Sequence, residues 1–110
     1  MEIREERRDN VLVLAPVGRV DSNSAGGLET ALLGRAKEPK LLVDLSSVEY
    51  ISSAGLRVFL MLARRVKESG GRLALCGLGA SVKQVFDLAG FSALFAIEPG
   101  VDQGVSRLSS

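Results

Sequence analysis

Histidine and tryptophan are absent from the 110 residues, and cysteine and tyrosine occur once each. Without histidine the chain lacks the commonest general base and the commonest metal ligand, and Cys76 alone forms neither an internal disulfide nor a multi-cysteine metal site. Most familiar enzyme mechanisms are thereby excluded, and neither a metal nor another cofactor is expected. Four phenylalanines and one tyrosine leave little to stack on single-stranded bases or to line an aromatic pocket, which makes a protein surface the expected ligand. A charge excess is missing too: 14 Lys and Arg stand against 13 Asp and Glu, too balanced for a phosphate-neutralising footprint, so no direct nucleic-acid partner is expected. Long apolar runs are also missing. In the second half the longest, Val58 to Ala63, is six residues between Arg57 and Arg64, against the roughly 20 that cross a bilayer, and no membrane insertion is expected. The first ten residues lack the apolar stretch of a signal peptide, from which a cytoplasmic address is expected.

What is present suits one folded domain. Hydrophobic residues make up 46% and charged residues 25% of the chain, close to globular averages, and 11.7 kDa accommodates one core. Residues 2–7 and Val11 to Val17 read as a hairpin around Asp9-Asn10. Turn formers follow from Gly18 to Ser24, and Ala25 to Lys37 spaces Leu28, Ala31, Leu32 and Ala36 as a helix, stopped by Pro39. Leu41 to Leu45 has the continuous apolar pattern of a strand covered on both faces. After Ser46 to Ser53, a helix to about Ser69 gathers Gly55, Val58, Phe59, Leu62, Ala63 and Val66 on one face. Gly70-Gly71 ends it; Arg72 to Cys76 is a buried strand, Val82 to Ala89 a helix, Leu94 to Ile97 a last strand, and the tail to Ser110 a short fourth helix or a frayed end. This alternation specifies an α/β class: a mostly parallel sheet of four to five strands with an antiparallel amino-terminal edge strand and three to four helices. No sequence feature sets an oligomeric state.

In such sheets, sites gather beyond the carboxyl ends of the strands. Three loops qualify: Asp21 to Ser24, Ser46 to Ser53, and Gly77 to Ser81. Ser52 and Ser53 stand where a helix amino terminus offers free N–H groups and positive potential to an anion; helix capping explains a serine there equally simply. Ser53, Arg57, Leu60 and Arg64 recur at spacings of four, three and four, one helical stripe, with Met61 also on the polar side, as in a protein-docking surface. Asp21, Ser22 and Ser24 are either contact residues or turn and cap residues of the first helix. Gly77-Leu78-Gly79-Ala80-Ser81 lacks both a P-loop lysine and the third glycine of a dinucleotide fingerprint, and reads as a turn with Ser81 as helix cap. Cys76 reads as a small buried hydrophobe.

The stretch Val43-Asp44-Leu45-Ser46-Ser47-Val48-Glu49-Tyr50-Ile51-Ser52-Ser53-Ala54-Gly55-Leu56 resembles the signature of STAS domains of the anti-sigma-factor-antagonist type. Gly18 to Asp21, the Ser24-Ala25 helix start and Val85 to Phe91 are similar to the same family, so the resemblance spans about residues 3–98 of a single domain, 1–110. It implies an antagonist that switches partners without being an enzyme. In that family a serine at the start of the second helix is phosphorylated by an anti-sigma factor with serine kinase activity and restored by a serine phosphatase. Gly55-Leu56 aligns that serine with Ser53. Many members have aspartate before it where this chain has Ser52, which leaves Ser52 a second candidate acceptor. The implied contact surface is Asp21, Ser22, Ser24, Ser52, Ser53, Arg57, Leu60, Met61 and Arg64. The alternative is a constitutive accessory subunit of an ABC-type lipid transporter or another signalling complex, using the same surface unmodified.

Overall fold

Asp9 takes a left-handed backbone (φ 58°), as short polar residues do in two-residue hairpin loops, and turns strand β1 (Glu2–Arg8) back onto strand β2 (Val11–Val20). The computed structural model describes residues 1–109; the expected domain limit and tail at Ser110 lie outside them. Helix α1 (Ala25–Leu33) follows, then β3 (Lys40–Asp44), β4 (Val48–Ile51), α2 (Ser53–Glu68), β5 (Arg72–Cys76), α3 (Ala80–Leu88), a 3₁₀ turn (Phe91–Ala93), β6 (Ala96–Glu98) and α4 (Val101–Ser109). The sheet runs β1-β2-β3-β5-β6, antiparallel between β1 and β2 and parallel elsewhere, and β4 pairs with β2 off this path.

Both faces of the sheet are covered, which is why β3 and β5 read as unbroken apolar runs. Leu12, Leu14, Leu41, Val43 and Leu75 point into the main core beneath α1, α2 and α3. Their neighbours Val11, Val13, Leu42, Ala74 and Cys76 point to the opposite face, where α4 closes a second core with Val105 and Leu108. The tail is thus an amphipathic helix, one of the two outcomes its sequence allowed. All four phenylalanines are spent on the main core: Phe86 lies edge-on to Phe59 (5.9 Å), Phe95 (6.0 Å) and Phe91 (6.1 Å).

The α/β class and the antiparallel first strand are as the sequence specifies, while several boundaries and one element differ. Strand β2 runs on to Val20, through residues read as a turn, because β4 supplies a second partner for Gly18, Arg19 and Val20. Strand β4 itself is an addition to the expected elements; the register skips Glu49 at a bulge, so Val48 and Ile51 are buried while Glu49 and Tyr50 both face out. Helix α1 stops at Leu33, at Gly34, and Ala36 reaches the core from a turn. Leu94 is no strand residue: it follows the 3₁₀ turn and is 60% exposed, and the last strand begins at Ala96.

Candidate functional site

The amino terminus of α2 is built by Ser52. Its backbone is extended (φ −92°, ψ 173°), its Oγ accepts the Gly55 N–H at 3.3 Å, and its carbonyl accepts the Leu56 N–H at 3.0 Å. Its own N–H donates to the Val20 carbonyl at 2.8 Å, which fixes the start of α2 against the end of β2. Gly55 permits that approach: a Cβ there would lie 2.5 Å from Val20 Cγ1 and 2.8 Å from Ile51 Cγ1. Ser53 is therefore the first helical residue; it is exposed, and none of the hydrogen bonds among the described residues engages its hydroxyl. The N–H groups of the first turn have no intrahelical acceptors, and the helix dipole adds positive potential there.

Val20 also leads directly into the loop Asp21 to Ser24, so the two serine-bearing segments meet at one end of the sheet. Asp21 Oδ1 accepts the N–H groups of Asn23 (2.9 Å) and Ser24 (3.1 Å). The bond from the Ser24 N–H, then that from Asn23, hold the Asp21 carboxyl below the usual aspartate value. Ser24 occupies the cap position of α1 without a side-chain cap bond. Its hydroxyl instead donates to the Arg19 carbonyl (2.7 Å) and accepts from the Asp21 N–H (3.0 Å), bracing the loop. Ser22 is exposed at the loop's tip.

Along α2, Arg57 and Arg64 are exposed and make no ion pair among the described residues, while Leu60 is half-buried between them. Met61, expected on the polar side, is half-buried like Leu60, and part of it packs against the main core. Arg64 lies about 16 Å along the axis from Ser53, so the stripe is an elongated surface leading away from the helix start.

Two residues not singled out from the sequence join this surface. Tyr50 on β4 is 41% exposed, and the Arg19 guanidinium lies 4.5 Å from its ring centroid. Only the assignment of β4, hidden by its bulge, would have placed this sole tyrosine beside the end of β2. In the third loop Gly79, and not Ser81, holds the cap position of α3; Ser81 Oγ donates to the Glu49 carbonyl at 3.4 Å and ties α3 to β4. Among the described residues no three His, Cys, Asp or Glu side chains converge to hold a metal ion, and no helix is long and apolar enough to cross a membrane.

Chemically, this end of the molecule offers an exposed nucleophilic hydroxyl on a helix amino terminus, flanked by a braced acidic loop, a guanidinium–aromatic pair and an arginine-bearing helix face. Known proteins resemble this chain along most of its length. The model of the STAS domain family matches residues 2–104. BtrV of Bordetella bronchiseptica, named provisionally as an anti-sigma factor antagonist, is 35% identical over 99 residues, covering 88% of this chain and 85% of its own. The anti-sigma-B factor antagonist of Bacillus subtilis is 30% identical over 101 residues, covering 91% and 93%. A Thermotoga maritima protein provisionally described as an anti-sigma factor antagonist superposes with a TM-score of 0.91 over 98% of this chain and 95% of its own; at 21% identity that likeness is one of fold. With a family model spanning nearly its whole length and relatives aligned along most of theirs, the chain belongs to the STAS domain family.

Proposed function

We propose that the protein is an anti-sigma-factor antagonist that works by partner switching: it binds an anti-sigma factor with serine kinase activity while Ser53 is unmodified and releases it when Ser53 is phosphorylated, and a serine phosphatase resets it. The observation that carries this reading is the division of labour between the two serines. Ser52 is spent on the helix cap, whereas the Ser53 hydroxyl is exposed and engaged by no hydrogen bond among the described residues. The contact surface in this reading comprises Asp21, Ser22 and Ser24, the Ser52-Ser53 helix start, and Arg57, Leu60, Met61 and Arg64 along α2, with Met61 contributing through its half-exposed side.

Phosphorylation adds about −1.5 to −2 charge and three acceptor oxygens. The amino terminus of α2 tolerates that charge, because its free N–H groups and dipole face it and Arg57 stands one turn on. A partner surface shaped to cover a neutral hydroxyl does not. A desolvation penalty of about 3 kcal/mol on an unpaired phosphate weakens binding more than a hundredfold, so release follows without a change of fold.

The test is a comparative affinity capture with wild type, Ser53→Ala and Ser53→Asp as baits. A serine kinase retained by wild type and Ser53→Ala and released by Ser53→Asp is the expected result, together with phosphate transfer from that kinase to wild type alone. Retention of one transporter ATPase by all three baits would overturn the reading in favour of a constitutive subunit.

A further inference from the structure

Strand β1 is the outer edge of the sheet: β2 pairs with one side of it, and no described strand pairs with the other. Its seven residues, Glu2–Arg8, run in unbroken register with β2 and contain no proline or bulge, two of the devices that usually disable an edge. Another device is charge, and along one face the charges alternate in sign. Glu2, Arg4, Glu6 and Arg8 stand opposite Val17, Ala15, Val13 and Val11, and so share one face of the sheet.

We propose that β1 pairs antiparallel with β1 of a second copy about a two-fold axis at Glu5, making one sheet continuous through two chains. In that register Glu2 faces Arg8 of the second copy and Arg4 faces Glu6, and symmetry repeats both pairs. Directly opposite side chains on paired strands lie about 5 Å apart at Cβ, within reach of these groups. Glu6 has no ion pair of its own among the described residues, and Arg4 has only its neighbour Glu2, at 3.1 Å, so both are available to a partner strand; Arg8 also pairs with Asp102 of α4, which makes the central Arg4–Glu6 pairs the ones to test. The one like-charge juxtaposition, Glu5 on Glu5, is compensated in advance, because Arg35 lies 2.8 Å from the Glu5 carboxylate in each chain. Identical strands related by such an axis must set residues of equal parity opposite each other, and a register pairing residue 2 with residue 8 satisfies this over the full strand.

The pattern also favours a second copy as the occupant: at four of the seven positions, Glu2, Arg4, Glu6 and Arg8, the charges complement their own reversal. The association closes at two chains, because the other edges are short. Strand β6 has three residues and is followed by Pro99, and β4 has four, with Ser81 bound to its Glu49 carbonyl. None of β1 belongs to the surface around Ser53, so this inference stands independently of the proposed switch.

Sedimentation equilibrium from micromolar to millimolar chain tests it with wild type, Arg4→Glu, Glu6→Arg and an equimolar mixture of the two variants, each checked for native circular dichroism. Wild type is expected to approach twice 11.7 kDa as concentration rises, and to do so less readily at high salt. Each variant alone sets like charges opposite each other and stays monomeric. The mixture sets a chain acidic at both substituted positions against one basic at both, and recovers the dimer. A wild type that remains at 11.7 kDa throughout overturns the proposal, as do single variants that dimerise like wild type or a mixture that fails to.

Discussion

Ser52 and Ser53 are chemically identical neighbours with separate tasks, and stability measurements should separate them. Ser52→Ala removes the acceptor of the Gly55 N–H and is expected to lose about 1 kcal/mol in urea denaturation, while Ser53→Ala, which breaks no internal bond, stays within about 0.5 kcal/mol of wild type. Equal losses would show that the cap is shared. Cys76 carries a second expectation. Burial, and after it the nearby Asp44 carboxylate, push its thiol from 9.0 up to about 12. Native protein at pH 8 should therefore be inert to thiol reagents and react fully once unfolded in urea; native labelling at the unfolded rate would refute this. Between those two values the folded chain keeps a proton that the unfolded chain has lost, so the residue's contribution makes stability fall as pH rises through that window and leaves it unchanged below. At this scale the residue types were legible and their partners were not. Ser24 and Ser81 have the chemistry of caps, but the Arg19 and Glu49 carbonyls, brought up by β2 and β4, compete for their hydroxyls.

Elements were legible wherever their period was clean. The amphipathic pattern of α2 and the doubly covered runs of β3 and β5 survive in the structure because burial on one or both faces fixes each of them. Strand β4 broke its alternation at a bulge, and Leu94 falls in the expected last strand although the strand begins at Ala96 and only Phe95 turns inward; both depend on long-range neighbours that no local window contains. Helix α4 shows how closely such neighbours constrain an element. It seats on β3 at Gly104, where a Cβ would lie 2.6 Å from Leu42 Cδ1. Gly104→Val should overpack that contact and cost about 1–3 kcal/mol, lowering the urea midpoint. An unchanged midpoint would mean that α4 shifts outward freely.

Taken whole, the molecule is a sheet between two apolar layers of unequal size, three helices on one side and one on the other. Strand β2 joins the two parts of that sheet, since Leu12, Val13 and Leu14 are paired with β3 while Gly18, Arg19 and Val20 are paired with β4. The small parallel pair beyond the bulge has no second flanking strand among the described residues; β2 alone ties it to the sheet, while Val20, Val48 and Ile51 share the main core. Amide exchange should register this as two unfolding units: the Ser52 N–H, bonded to the Val20 carbonyl, is expected to exchange at least about tenfold faster than the amides of Leu41 to Val43, by local opening and not by global unfolding. Identical protection in both would mean a single cooperative block. On the expectation of two units, the segment that carries Ser52 and Ser53 breathes on its own, on a faster clock than the body to which it is attached.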